Sequence, residues 1–268
     1  MEDYKLIPVD DKIPGDWEIY DLIEKQKVLV SKEILNPLGL NYENTVAESA
    51  FQLECNEYGD VAGSNLGPLV ADAIRYYVNK HDSSGVDLSM VAVGVIREKI
   101  LKGEITAPDI FRVMSLGSGK DEVPGYPLSR LFVTGRELKN VLEILLIASK
   151  STPGNFCYFS GIRVEYNPEK GFLKKIKKIE IEKKEGSKVD VDFSKKNKML
   201  YSMTANSYML EFIGIIKKKS MGLVNVIPKD AEGRKITDMK TAVIDINPLK
   251  NDVQEGKEWL ALAEFLMQ

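Results

Sequence analysis

Histidine is nearly absent from this sequence, because His81 is the only one among 268 residues. It lies in the polar stretch "VNKHDSSG", where a helix is expected to end. Zinc sites, Ser-His-Asp triads and dinuclear phosphoesterase centres generally use imidazole as a ligand or a base. The sequence therefore excludes the usual forms of these centres. His81 is interpreted as a surface residue beside a helix C-cap.

Cysteine, long apolar runs and excess positive charge are also scarce. The two cysteines, Cys55 and Cys157, have apolar neighbours and are interpreted as buried thiols, since two are too few for a disulfide scaffold. No stretch approaches the roughly 20 apolar residues of a membrane span, and the first residues, "MEDYKLIPVDDK", lack a signal-peptide pattern. A net charge of -3 argues against a nucleic-acid surface, and the basic runs "KKIKK" and "KKK" are interpreted as solvated faces.

Recognised catalytic motifs are missing as well. There is no phosphate-binding P-loop, no dinucleotide-binding glycine motif, no H-E-x-x-H, no EF-hand loop and no G-x-S-x-G elbow. The glycines of "SLGSGK", residues 115–120, could expose backbone amides to an anion, but the P-loop spacing is absent and a flexible loop is predicted. No spacing singles out an acid and base pair. From the residues alone, no catalytic apparatus is visible.

The chain nevertheless has the composition of a folded domain, with 44% hydrophobic residues. Periodicity predicts an amphipathic helix over residues 15–35, with Asp16 as its N-cap, and a helix within "GSNLGPLVADAIRYYVNK". The continuously apolar "DLSMVAVGVI" predicts a central strand covered on both faces. Thr134 and Glu137 have the spacing of a capping box, in which each side chain bonds a free backbone N–H at a helix start.

Further strands are predicted near residues 45–53, 161–166, 176–182 and 200–205, and further helices near 207–216 and 255–267. Strands and helices do not alternate strictly, so the predicted fold class is α+β, with a mixed β-sheet packed with helices. Two parts are expected: an N-terminal helical segment over residues 1–44, and one domain over residues 45–268.

Five stretches carry a resemblance to a known family when they are taken in order. They are "GSNLGPLVADAI", "VAVGVIRE", "GEITAPDIFRVMSLG", "LFVTGRELKNVLE" and "FSGIRVEY". Over about residues 47–206 they resemble the C-terminal, substrate-binding domain of the 5'-nucleotidase and UDP-sugar hydrolase family. The resemblance implies that domain's fold, and residues 1–44 are similar to the interdomain segment.

What the resemblance implies about chemistry is divided between two domains. Hydrolysis in the family is performed by a separate metallophosphoesterase domain that holds two divalent metals. The C-terminal domain holds the nucleoside, with two aromatic rings enclosing the base. This chain is expected to contain no catalytic residues, metals or cofactors of its own. Its expected partners are a nucleotide or other small molecule and a metallophosphoesterase domain in cis or in trans. The family suggests a periplasmic or extracellular protein, although no signal peptide is recognised.

The first family motif is partly retained at the end of the predicted central strand. The family has Asn-Gly-Gly-Gly-Ile-Arg, and residues 92–97 here are "AVGVIR". Gly94 and Arg97 are kept as candidate ligand-binding residues. The side chains of Val93 and Val95 are expected to take up space that a ligand would use. Arg97 can equally be a strand-end charge, and both alternatives stay open.

The remaining candidates come from three other motifs. The family's Leu-Pro-Phe-Gly is represented by residues 114–117, "MSLG", so Leu116 and Gly117 are candidate ligand contacts, but a leucine cannot stack on a base. Tyr208 corresponds to the second aromatic ring, and Gly161 in "SGIR" is retained. The aspartate of the family's Gly-Gly-Asp-Gly is missing, with Gly214 near its place, and a family arginine aligns with Ala62. Leu116 and Tyr208 can also be core residues, and Gly161 a structural glycine.

Two hypotheses of function follow. In the first, the chain is the nucleotide- or nucleoside-recognition domain of a 5'-nucleotidase-like hydrolase and is not catalytic alone. In the second, it is a diverged binding or scaffold module that has lost nucleotide binding, since apolar residues replace polar or permissive ones at several ligand positions.

Overall fold

A computed structural model of the chain describes residues 6–8, 10, 12–55, 63–151, 154, 156–206, 209, 226–251 and 253–268. The backbone divides into two compact units, Met1–Asn44 and Thr45–Gln268. The helix predicted over residues 207–216 lies outside the described residues, apart from Met209.

The N-terminal unit is built on one helix, α1 (Trp17–Val30). The side chain of Asp16 caps it, accepting hydrogen bonds from the N–H groups of Glu18 at 2.9 Å and Ile19 at 3.2 Å. The predicted start is therefore confirmed. The predicted helix ends differently, because a π-helical turn over Ser31–Leu35 and a 3-10 turn over Asn36–Leu38 follow α1.

The larger unit contains nine strands and four helices among its described residues. In chain order they are β1 (Thr45–Ser49), α2 (Leu66–His81), β2 (Leu88–Ala92), β3 (Gly103–Thr106), α3 (Ala107–Val113), β4 (Leu128–Thr134), α4 (Gly135–Ser151), β5 (Cys157–Ser160), β6 (Ile162–Tyr166), β7 (Ile176–Glu182), β8 (Lys188–Asp190), β9 (Leu200–Asn206) and α5 (Glu258–Leu266).

The central sheet is mixed and has the strand order β4-β9-β2-β5. Strands β9 and β2 are parallel, while β4 and β5 pair antiparallel with their neighbours. Two further antiparallel sheets are β1-β3 and β6-β7-β8. The predicted α+β class with a mixed sheet packed with helices is confirmed.

Strand β2 is buried along its whole length, as its apolar sequence predicts. Leu88, Met90 and Ala92 join a core cluster with residues of α4 and β7. On the other face, Ser89 donates a hydrogen bond to the carbonyl of Ala71 in α2 at 2.6 Å. The strand is thus covered on both faces, and its end sets the position of the candidate site.

The strand is nevertheless shorter than its apolar run. Residues Val93–Val95 form a 3-10 turn, in which the N–H of Ile96 bonds the carbonyl of Val93 at 3.0 Å. The prediction of one strand through residue 96 is therefore wrong at its end. An apolar sequence predicts that these residues are buried, but it does not distinguish an extended backbone from a turn.

Capping explains two helix starts. Glu137 accepts the N–H of Thr134 at 2.8 Å, and Thr134 accepts the N–H of Glu137 at 3.3 Å, so the predicted capping box at α4 is confirmed. Thr106 and Asp109 form a second capping box at α3, a helix that the periodicity analysis did not identify. The helix predicted over residues 255–267 begins only at Glu258, because the preceding residues are extended and bridge to other segments.

Candidate functional site

Arg97 lies just beyond the turn that ends β2. Its side chain is exposed, and its guanidinium donates a hydrogen bond to the carbonyl of Gly94 at 3.0 Å. Among the described residues, a Cβ atom at Gly94 would meet one heavy atom within 4 Å, the carbonyl oxygen of Gly154 at 3.8 Å. The packing of the described residues therefore does not require glycine there. The arrangement presents a permanent cation to solvent at the carboxyl end of the central strand.

The two valines on either side of Gly94 point into the protein. Val93 is 1% exposed and Val95 is 2% exposed. Their branched side chains fill the interior around the turn. Neither valine side chain therefore faces solvent beside Arg97.

The loop with Leu116 and Gly117 lies on an adjoining segment. The N–H of Arg97 bonds the carbonyl of Val113, at the end of α3, at 2.8 Å. Leu116 follows three residues later and is 36% exposed, so it is not a core residue. The ring of Tyr126 covers Gly117, where a Cβ atom would lie 2.2 Å from the ring. The structure thus places Gly94, Arg97, Leu116 and Gly117 on neighbouring parts of the chain.

The glycine loop beyond Gly117 is held by the chain's own charged groups. The carboxylate of Glu255 accepts the N–H of Lys120 at 3.0 Å, and the ammonium of Lys257 lies 2.6 Å from Glu255. Burial alone would raise the pKa of Glu255, but the hydrogen bonds from Lys257 and Lys120 bring it below its ordinary value. The backbone N–H of Lys120, which could otherwise bind an external anion, therefore already donates to a carboxylate of the protein. The flexibility of the loop itself stays a prediction.

Strand β9 ends beside β2 on Asn206, which is fully buried. Its side-chain oxygen accepts the N–H of Met209 at 2.7 Å, and its amide group donates to Glu258 at 3.1 Å. Burial raises the pKa of Glu258 to about 8, against a smaller lowering by Asn206. Glu258 is therefore mainly protonated at neutral pH. Tyr208, the predicted aromatic contact, lies outside the described residues and stays a prediction.

Gly161 lies at the other end of the central strand. In the antiparallel pair of β2 and β5, Cys157 pairs with Ala92 and Ser160 with Ser89, so Gly161 follows the end remote from Arg97. Gly161 has a φ of +78°, and a Cβ atom would lie 2.3 Å from the carbonyl oxygen of Asp87. The structure thus gives this glycine a packing role and does not bring it together with the other candidates.

Comparison with known proteins identifies the family. The sequence model of the family described as "5'-nucleotidase, C-terminal domain" matches residues 44–213, more than half of the chain. The chain belongs to this family. The match contains every candidate site residue, and it ends before Glu255, Lys257 and Glu258.

Two curated proteins are similar to this chain at low sequence identity. The chain is similar to a probable 5'-nucleotidase of Treponema pallidum (strain Nichols), with 27% identity over 192 residues, and to endonuclease YhcR of Bacillus subtilis (strain 168), with 24% identity over 183 residues. These alignments cover 70% and 68% of this chain, but only 30% and 13% of the two relatives.

A solved structure shows the shared fold. The crystal structure of a 5'-nucleotidase precursor from Thermus thermophilus aligns with a TM-score of 0.59 and 18% sequence identity. The alignment covers 93% of this chain and 39% of that one. The likeness is one of overall fold, a mixed sheet packed with helices.

No group of three or more histidine, cysteine, aspartate or glutamate side chains within the described ranges could hold a metal ion. In those ranges, no helix combines the length and apolar character that a membrane span requires.

His81, the sole histidine, ends α2 and lies 2.7 Å from Glu264 of α5, so it joins two helices.

Sequence reasoning missed the residues that support the site. Glu255, Lys257 and Glu258 carry no motif, and their roles depend on contacts with residues more than 50 positions away. One signal was available in the sequence: "EGKEW" places two charged residues directly before an apolar helix and a third at its first residue.

Proposed function

We propose that this chain recognises the nucleoside part of a nucleotide for a 5'-nucleotidase-like hydrolase. In this proposal a metallophosphoesterase domain, in the same polypeptide or in a partner, supplies the metal-dependent hydrolysis. The chain itself contributes recognition and is not catalytic alone. Family membership over residues 44–213 supports the substrate-binding role.

The observation that carries the proposal is the exposed Arg97 beside the Leu116 loop. Arg97 offers several N–H donors in a fixed plane, which suits the oxygen atoms of a ribose, a base or a phosphate. Leu116 offers an apolar surface to a planar base. The site thus combines a polar and an apolar contact, as small-ligand sites commonly do.

A binding experiment tests this function. We expect saturable thermal stabilisation by at least one nucleoside, nucleotide or UDP-sugar, because a ligand that binds only the folded state raises its stability. Arg97→Ala should remove the stabilisation. Arg136→Ala, which removes another exposed arginine at the start of α4, should retain it.

The second candidate function is a binding or scaffold module that has lost the nucleotide site. The burial of Val93 and Val95 favours it, since these branched side chains stand where the family motif has glycines. Under this alternative no nucleotide raises the thermal stability of the protein, and Arg97→Ala does not change the stabilisation by any ligand. Stabilisation that depends on Arg97 would exclude the alternative.

A further inference from the structure

A buried lysine fastens the loop of residues 115–126 to a segment that follows the family match. This segment, residues 255–259, consists of the three residues before α5 and the first two residues of that helix. The side chain of Lys257 has no exposed surface, and its ammonium lies 2.8 Å from Asp121 and 2.6 Å from Glu255. One cation therefore holds a carboxylate of the loop and a carboxylate of its own segment.

Three more contacts attach the loop at other points. Glu255 accepts the N–H of Lys120, and the indole N–H of Trp259 donates to the carbonyl of Pro124 at 2.8 Å. Gly119 packs so closely that a Cβ atom there would lie 1.4 Å from a carboxylate oxygen of Glu255. The loop is thus held at four points: the ion pair of Asp121, the backbone N–H of Lys120, the carbonyl of Pro124 and the close packing of Gly119.

The ion pairs make these contacts difficult to release separately. Glu255 is 4% exposed and Asp121 is 24% exposed at their side chains. Because the Lys257 side chain is fully buried, loss of the Asp121 contact leaves its ammonium with a single carboxylate partner, Glu255. The position of the loop is therefore coupled to the position of residues 255–259.

We propose that residues 255–259 act as a latch that holds the loop as one wall of the ligand site, with Lys257 as the positioning residue. The ligand part of this inference rests on the proposed function, since the loop carries Leu116 and Gly117. A wall that is already ordered loses less conformational freedom when a ligand binds. Loosening the latch therefore weakens binding although no ligand contact is removed.

The first test uses Asp121→Asn in the full chain. This variant removes the loop carboxylate and leaves Lys257 paired with Glu255. Hydrogen–deuterium exchange of the ligand-free protein should become faster in residues 115–126 by about fivefold, and the Kd of the best nucleotide should rise by about the same factor. The control is Glu122→Gln, which makes the same charge change at an exposed side chain of the same loop. It should leave both measurements unchanged.

The second test keeps every charge. Gly119→Ala places a methyl group against Glu255 and should displace the loop, giving faster exchange in the same residues. Gly171→Ala is the matched control, because a Cβ atom there meets nothing within 4 Å.

Each outcome decides a separate point. Exchange that stays unchanged in both Asp121→Asn and Gly119→Ala would overturn the latch. Faster exchange together with unchanged nucleotide affinity would overturn the positioning role. If the unaltered protein binds no nucleotide, the proposed function and the positioning role both fail. The hydrogen–deuterium exchange of the ligand-free protein then still tests whether residues 255–259 hold the loop.

Discussion

At the scale of the residue, the candidate site depends on which side chains reach solvent. Arg97 and Leu116 are exposed, while Val93 and Val95, close to Arg97 in the chain, are buried. The candidate site therefore presents a cation and an apolar side chain to solvent. The exposure of Leu116 and the burial of Glu258 lead to two predictions about single residues.

Restoring an aromatic ring at Leu116 should strengthen base binding. Leu116→Phe introduces a face on which a base can stack, and stacking is worth about 1–3 kcal/mol per base, or about 5- to 150-fold in Kd. The change should be tolerated because Leu116 is 36% exposed. Isothermal titration calorimetry with nucleosides measures the effect. Leu101→Phe, at a side chain 62% exposed, is the control, and an equal gain there would contradict a specific stacking role.

Burial of Glu258 should make stability depend on pH. The folded-state pKa of about 8 lies above the ordinary value of 4.5, so the unfolded state releases its proton first as pH rises. The free energy of unfolding should therefore fall between pH 4.5 and pH 8, by up to about 1.4 kcal/mol per pH unit from this group. Glu258→Gln should flatten this dependence in urea unfolding, and Glu104→Gln, at an exposed side chain, should not. Equal slopes in Glu258→Gln and the unaltered protein would rule out this assignment.

At the scale of the element, local signals predict where helices start, and contacts across the fold decide where strands end. The caps of Asp16 and Thr134 involve residues two or three positions apart, so they are visible in the sequence. The end of β2 at Ala92 depends instead on a turn bonded to Phe156, whose carbonyl accepts the N–H of Val93 at 2.9 Å. No local pattern encodes that partner.

The turn between β5 and β6 provides a test at this scale. Gly161→Ala forces a side chain into a left-handed backbone and against the carbonyl of Asp87, so the free energy of unfolding should fall by about 2 kcal/mol or more. Gly171→Ala should change it little. Because Gly161 lies at the end of β2 remote from Arg97, nucleotide affinity of the folded variant should be retained. A selective loss of affinity without loss of stability would restore the ligand role that the family resemblance implies.

At the scale of the whole molecule, recognition and hydrolysis are expected to be separate. The family match and the exposed Arg97 support the proposed recognition role. In the proposed function, a metallophosphoesterase domain in cis or in trans supplies the groups for hydrolysis.

The chain alone should show no phosphatase activity. Assays with nucleoside monophosphates and UDP-sugars, with Mg²⁺, Mn²⁺ or Zn²⁺ added, should give no turnover above a buffer control. Arg97→Ala distinguishes a contaminant, whose activity is unaffected by the substitution, from an activity of this protein. Metal-dependent turnover that copurifies with the chain and falls in Arg97→Ala would contradict the prediction.

The sequence alone determined the α+β class, the burial of β2, the caps at Asp16 and Thr134, and the resemblance that names the candidate residues. These features are local or depend on the order of short motifs, so they can be recognised without coordinates. Only the tertiary structure decided that Gly161 is remote from Arg97 and that Lys257 holds the glycine loop. The physical reason is that a buried charge is compensated by groups that are close in space, and one of the two carboxylate partners of Lys257, Asp121, lies 136 positions earlier in the chain.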